Sequence, residues 1–397
     1  MSLQLQIEKL VYGGDGLSRV DGEVVFTPFV LPGETVEVER AESRKQVQRA
    51  RLVKVEVASP DRVTAPCPVF GRCGGCQYQH ATYDAQLRYK RDILAETLRR
   101  VGKIELDPAT IAIESGEPFG YRNRAQFHFE HGSVGYREMN SRRLVAIEEC
   151  PISSPKINEV IGKLKRMVRD GRWPRFVESL EVFTDERQVQ WNVLESEQPV
   201  AKRFFEWLAD EVPGTVMGPL EYAVNGDLFQ VSGTSFFQVN RFLLPRLADL
   251  AIGDARGAEA WDLYAGAGLF SLPLARTFPR VIAVEAGRSA GDLRENAHRA
   301  RAKVDVVSEQ TEVFLTKAKA APGLVLADPP RAGLGKVATA RLAALRAETL
   351  TIVACDPATL ARDLAALAPA YEIKKITLVD LFPQTFHMET IVRLGLR

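Results

Sequence analysis

At 397 residues the chain is longer than one ordinary domain, and 46% hydrophobic with 26% charged residues is an ordinary globular composition, not that of a disordered chain. A net charge of +1 excludes a uniformly basic glove for nucleic acid, so any grip on phosphate has to come from local patches. The opening MSLQLQIEKLVYGGDG lacks the basic-then-apolar order of an export signal, and no apolar run reaches the roughly 18 residues of a membrane span; a cytoplasmic monomer without membrane contact is the default expectation.

In chain order, residues 1–58 read as short alternating strands punctuated by Gly and Pro (LQIEKLVY, EVVFTPF, LPGETVEVER, QRARLVKVEV), the pattern of a small five-stranded barrel. Arg40, Arg44, Lys45, Arg49, Arg51 and Lys54 form one basic stretch within it. Residues 59–106 hold a cysteine-rich loop and then a basic amphipathic helix over 84–101, with Leu87, Ile93, Leu94 and Leu98 on its apolar side. Residues 107–232 mix strands (AQFHFE, GSVGYRE, QVQWNVL) with a second basic helix, KINEVIGKLKRMVRD, and predict a separate α+β unit. From 233 to 397 the character changes: apolar runs such as RVIAVEAG, PGLVLADPP and TLTIVACDP alternate with helical stretches. Apolar strands joined by helices predict an α/β unit, a parallel sheet covered on both faces. The closing ITLVDLF and ETIVRLGLR, with no helix between them, predict an edge hairpin.

Chemistry is expected at the strand ends of that sheet, because open parallel sheets bind ligands outside their carboxyl edges. The first strand ends in Asp262-Leu-Tyr264-Ala-Gly266-Ala-Gly268, and the second in Glu285, a carboxylate able to bind ribose hydroxyls. A dinucleotide loop would want a third glycine where Ser271 stands, which favours S-adenosylmethionine over NAD. The fourth strand ends in Asp328-Pro-Pro-Arg331 and the fifth in Ala354-Cys355-Asp356-Pro357. Carbon 5 of uracil is a poor nucleophile, but a thiolate adding to carbon 6 converts the ring into an enolate that attacks through carbon 5. The reaction then needs a base for the carbon 5 proton, and Glu389 is the available carboxylate. A lone cysteine is more often a small buried hydrophobe; glycine loop, cysteine and acid together favour catalysis. His387 reads as a packing or orienting residue.

Five cysteines without an export signal argue against disulfides and for metal binding or catalysis. Cys67, Cys73 and Cys76 fall within ten residues, and Cys150 supplies a fourth thiolate, a set that suits a 4Fe-4S cluster or a structural zinc.

These motifs resemble the RNA uracil-5-methyltransferases, most closely the TRAM-containing, iron–sulfur branch that acts on 23S rRNA, over nearly the whole length. The segment Val379-Asp-Leu-Phe-Pro-Gln-Thr-Phe-His-Met-Glu389 is the most specific match, with Phe237-Gln238-Val239-Asn240 beside it. The resemblance implies a Rossmann-like methyltransferase domain, a TRAM (OB-like) RNA-binding barrel and a central α+β domain. It implies Cys355 as nucleophile, Glu389 as general base, and Gln238, Tyr264, Glu285 and Asp328 at the S-adenosylmethionine site. It also implies Cys67, Cys73, Cys76 and Cys150 as iron–sulfur ligands, with zinc the alternative. Structured RNA is the implied partner, 23S rRNA ahead of tRNA. Two departures stand out: Ala354-Cys355-Asp356 replaces the usual Ser-Cys-Asn, so a carboxylate beside the thiol is expected to raise its pKa, and Leu269 stands where some relatives have Asn. Two other functions fit less of the pattern: an amino-group methyltransferase using Asp328-Pro-Pro without a covalent step, and a non-catalytic RNA-binding protein that keeps the fold.

Overall fold

The computed structural model describes residues 2–41 and 48–397; Arg44 and Lys45 of the first basic stretch lie outside them. Three β-sheets dominate, joined by a two-stranded hairpin.

The N-terminal sheet has six strands where five are expected, and the difference is a bend. Ser2–Gln6 pairs with Thr35–Arg40 at one edge, while Lys9–Leu10 pairs with Asp15–Val20 at the other. The kinked first strand therefore touches both edges and curls the sheet into a barrel, which leaves fewer open edges. Leu5, Ile7, Val25, Val30, Val36 and Val38 fill it. The core is so tight that a Cβ on Gly16 would meet Val30 at 2.3 Å. Much of the basic charge is already paired: Arg49 with Asp15, Arg51 with Glu39, Lys54 with Glu56, and on the second helix Lys156 with Glu159 and Lys165 with Glu148.

The central sheet runs Leu144–Ala146, Ser133–Arg137, Arg124–Glu130, Val177–Thr184, Val189–Ser196, Thr215–Val216. Helix Pro155–Met167 starts where Ser154 caps it with Pro155 at its first position. Its Ile157, Val160, Ile161 and Leu164, at helical spacing, pack on the sheet together with Phe204, Trp207 and Leu208 of helix Lys202–Glu211.

The third sheet has eight strands in the order Val304–Val307, Arg280–Val284, Glu259–Leu263, Leu324–Ala327, Thr349–Ala354, Glu389–Leu396, Tyr371–Val379, Ala112–Glu114. The first five are mutually parallel, and Glu389–Leu396 enters antiparallel. Successive residues of Leu324–Ala327 feed opposite cores: Leu324 and Leu326 one, Val325 and Ala327 the other. That double burial is why the strand is uniformly apolar. The closing hairpin is not quite the edge, because Ala112–Glu114 adds to it in parallel; three residues give too short a pattern to read from sequence. Helix Tyr83–Gly102 also belongs to this unit, burying Ile93, Leu94 and Leu98 against Leu360 and Leu364 of helix Pro357–Leu367, with Leu87 only half-buried. Residues 83–114, placed in the preceding units by chain position, thus pack on the eight-stranded sheet. No helix among the described residues is long and apolar enough to cross a membrane.

Candidate active site

Register builds the site. Leu263 pairs with Val284 and with Ala327, and each is the last residue of its strand. Tyr264, Glu285, Asp328 and Cys355 are each the first residue past the carboxyl end of four parallel strands. Glu389 opens the antiparallel strand, whose Thr390 pairs with Ala354, so Cys355 and Glu389 are the next cross-strand position. Read across the sheet the order is Glu285, Tyr264, Asp328, Cys355, Glu389. At roughly 4.8 Å per strand, the thiol and the base are one spacing apart and the Tyr264 strand lies about 10 Å from the thiol. The chain reverses its order of strand addition between Glu259–Leu263 and Leu324–Ala327, the switch point where α/β sheets open a crevice.

On the Glu285 side, Tyr264 (φ 61°), Gly266 (φ 55°) and Gly268 (φ 95°) turn the loop sharply; the tyrosine is held in a conformation that costs a side chain energy. Gly266 N–H and Gly287 N–H donate to the two oxygens of Glu285 at 2.9 and 2.6 Å. A carboxylate has about four acceptor sites, so two remain for hydroxyls. Beneath lies Asp262, fully buried, accepting from the Ser271 hydroxyl through Oδ2 while Oδ1 has no partner. Burial above all, then Glu285, pushes Asp262 up to about 7. A Cβ on Gly266 would meet nothing within 4 Å. An orphaned acceptor, spare carboxylate capacity and open space over the loop fit a nucleoside cofactor with ribose hydroxyls and a cationic centre. Leu269, at the position of the expected missing contact, is buried in the apolar core.

On the Cys355 side, burial, then Glu389 and Asp328, push the half-buried thiol up to about 11, against Arg331, which lowers it. Burial and Asp328 raise Glu389 well above the carboxylate range, and burial and Asp262 raise Asp328. The expected effect of Asp356 on the thiol is not what the structure shows. Its Oδ1 accepts from Ala358 N–H and Thr359 N–H at 3.0 and 2.8 Å, capping the helix that Pro357 begins. Asn and Asp cap helices about equally well, which accounts for the exchange.

Gln238 is buried in a segment, residues 232–240, that is held at both ends. At one end Ser232 and Ser235 donate to Asp292 on the helix after Glu285; at the other Asn240 Nδ2 donates to Leu381 O at 3.0 Å. Phe236, two residues before Gln238, is 65% exposed.

Several residues with evident roles escape the sequence reading. Residues 380–388, leading into Glu389, are clamped from segments far away in the chain. Lys90, fully buried, reaches Asp380 at 2.6 Å and Phe382 O at 2.9 Å; Tyr121 OH donates to Pro383 O at 3.0 Å. Gln86 exchanges two hydrogen bonds with Gln384, and Gln77 and Tyr78 N–H both donate to Gln384 O. Gln86 and Lys90 share a helix face with Leu94 and Leu98, so two polar residues at core spacing were the legible signal. His387 stacks on Phe386 with centroids 4.1 Å apart; burial first, then Arg331, Lys90 and Arg122, lower its pKa to about 4, keeping it neutral.

Cys67, Cys73, Cys76 and Cys150 line one cavity of about 610 Å³ between barrel, cysteine loop and central sheet. Burial, opposed by Gly75 N–H and assisted by Cys150 and Cys67, pushes Cys73 up to about 11. Among the described residues, no three His, Cys, Asp or Glu side chains converge as a single metal ion would require.

A sequence profile described as tRNA (Uracil-5-)-methyltransferase matches residues 313–396, the stretch from the third crossover to the last strand. An RNA methyltransferase of Aquifex aeolicus is 34% identical over all of this chain and 99% of its own length. A 23S rRNA (uracil(1939)-C(5))-methyltransferase RlmD of Halomonas elongata is 32% identical over 98% of this chain and 89% of its own. The crystal structure of Pyrococcus abyssi tRNA (uracil-54, C5)-methyltransferase, in complex with S-adenosyl-L-homocysteine, superposes with a TM-score of 0.80 over 98% of this chain and 99% of that one, at 24% identity. Full-length similarity above 30% identity leaves no part of the architecture unaccounted for: the chain belongs to the RNA (uracil-5-)-methyltransferase family.

Proposed function

We propose that this enzyme methylates carbon 5 of a uridine in 23S rRNA, with Cys355 as nucleophile and Glu389 as general base. The observation that carries the reading is the cross-strand adjacency of the thiol and the carboxylate, at the same edge of the sheet as the Tyr264–Gly268 loop two strands away. The target uridine has to leave its stack to reach a crevice at strand ends. Phe236, exposed beside Gln238, offers a face on which a base can stack. Glu285, Tyr264, Asp328 and Gln238 would hold S-adenosylmethionine and the base. Cys355 adds to carbon 6 as a thiolate, and the ring's electrons move to carbon 5 and its carbonyl oxygen. Bound in the crevice, S-adenosylmethionine supplies an electrophilic methyl group and departs as S-adenosylhomocysteine. Glu389 then takes the proton from the methylated carbon 5, the ring double bond re-forms, and Cys355 leaves as thiolate. A carboxylate whose proton affinity is raised by burial is a stronger base once ionised.

Cys67, Cys73, Cys76 and Cys150, around one cavity, would hold a 4Fe-4S cluster, which the resemblance to the iron–sulfur branch favours over zinc. Its part would be to hold the cysteine loop, since methyl transfer needs no electron. Iron and sulfide analysis of anaerobically purified protein, with Cys76→Ser as the depleted control, tests this. The domain boundaries expected from sequence (1–58, 59–106, 107–232, 233–397) are retained as chain segments, the first and third as RNA-binding units.

Mapping 5-methyluridine in rRNA and tRNA from cells with and without the gene tests the function. Loss at one 23S rRNA uridine, restored by wild type and not by Cys355→Ala, is the expected result. Loss confined to tRNA would overturn the substrate, and no loss anywhere the activity.

A further inference from the structure

One side chain of the N-terminal barrel reaches the catalytic pair. The Tyr12 hydroxyl donates to the backbone carbonyl of Cys355 at 3.3 Å across 343 residues of sequence, and its ring meets Phe386 edge-on with centroids 5.3 Å apart. Phe386 lies three residues before Glu389, in the loop that Gln77 and Gln86 clamp. Thus a single phenol touches both the strand end that presents the thiol and the loop that leads to the base. The charges facing it come from every element around it: Asp356 and Cys355 from one strand end, Arg331 from the next, and Glu389 from the antiparallel strand. Tyr12 stands in the loop between Lys9–Leu10 and Asp15–Val20, beside Gly13 and Gly14, both at positive φ. Nothing in the barrel's own core requires an aromatic ring there, since that core is closed by Leu5, Ile7, Val30 and Val36.

We propose that Tyr12 is a positioning residue for the methyl-transfer reaction: its hydroxyl fixes the Cys355 peptide, and its ring braces the Phe386 loop, so the nucleophile and base are in register only while the barrel is docked. This inference rests on Cys355 being the nucleophile. RNA held by the barrel is thereby coupled to the catalytic pair through the Tyr12 contact. The peptide after Cys355 opens a helix already held by Asp356, and the Tyr12 hydrogen bond fixes the same peptide from the other side.

The test uses full-length protein and RNA carrying 5-fluorouridine at the target, with the first-order rate of covalent adduct formation read at saturating RNA and cofactor. Tyr12→Phe keeps the ring and loses only the hydrogen bond. A hydrogen bond worth about 1 kcal/mol corresponds to roughly a fivefold slower adduct rate, expected with RNA affinity unchanged and the melting temperature lowered by at most about 2–4 °C. Tyr12→Leu removes the ring contact as well and is expected to slow the adduct further. Val25→Ala, in the barrel core and away from the contact, controls for loosening of the barrel and should leave the rate as in wild type. A Tyr12→Phe rate equal to wild type would overturn the proposal, as would a loss that appears only as weaker RNA binding. Failure of wild-type protein to form any adduct would overturn the nucleophile assignment instead, a distinct outcome.

Discussion

Cys355 and Glu389 are neighbours across antiparallel strands, one step beyond the last paired residues, Ala354 and Thr390. Cross-strand neighbours project to the same side of a sheet, which brings the sulfur and the carboxylate toward one another. On the mechanism proposed above the two have divided roles, so removing each member should arrest a different step. Cys355→Ala is expected to abolish methyl transfer. Glu389→Gln should still add and methylate but fail to eliminate, so protein–RNA adduct accumulates on ordinary uridine and is visible as a shifted band on a denaturing gel. Adduct with Cys355→Ala, or free turnover by Glu389→Gln, would contradict this division.

The raised thiol makes the reaction pH-dependent in one direction. With Cys355 at about 11, the thiolate fraction at neutral pH is small and grows tenfold per pH unit. Adduct formation should rise with unit slope from pH 7 to 9. Arg331 opposes that rise in pKa from an exposed position, so Arg331→Ala should give a parallel line lower by about two- to fivefold. A profile flat across this range would contradict a protonated resting thiol.

Asp356 acts on the helix, not on the sulfur. Asp356→Asn is expected to leave stability and the pH profile unchanged. Asp356→Ala should cost about 1 kcal/mol in denaturant unfolding and slow adduct formation, because the cap of the helix is the residue directly after Cys355. An Asn variant with a markedly faster adduct rate at pH 7 would instead mean that the carboxylate acts on the thiol.

The Lys90–Asp380 pair is fully buried on both sides. Lys90→Met leaves one uncompensated charge and should cost about 3–5 kcal/mol, whereas Lys90→Met with Asp380→Leu should recover most of it. Melting curves check both. Recovery of stability should not bring recovery of turnover, because Lys90 also holds Phe382 O in the loop before the general base. A double variant no more stable than the single one would contradict this reading of the pair.

The strand ends were legible because each apolar run stops at a residue of different chemistry: Leu263 at Tyr264, Val284 at Glu285, Ala327 at Asp328, Ala354 at Cys355. Period and composition carry that information locally. Gln86 and Lys90 stand out in the sequence as polar residues at core spacing, but that they hold residues 380–388 is not legible, because Gln77, Gln86, Lys90 and Tyr121 lie hundreds of residues away and meet the loop only after the units have packed. Tyr12 was hidden for the same reason. The Asp356 cap is present in the sequence as Asp followed by Pro, a helix-start signature; its carboxylate, which from sequence reads as a charge near the thiol, is a hydrogen-bond acceptor for the helix.

The central claim is that one sulfur attacks the pyrimidine while one carboxylate awaits its carbon 5 proton. RNA with 5-fluorouridine at the target tests it most directly, since fluorine is not removed as a proton and the enzyme stays attached. Mass spectrometry of the nuclease- and protease-digested complex should find methylated fluorouridine on the peptide containing Cys355 and on no other cysteine. Turnover of natural RNA without any such adduct, or attachment through one of the four cysteines around the 610 Å³ cavity, would contradict the account.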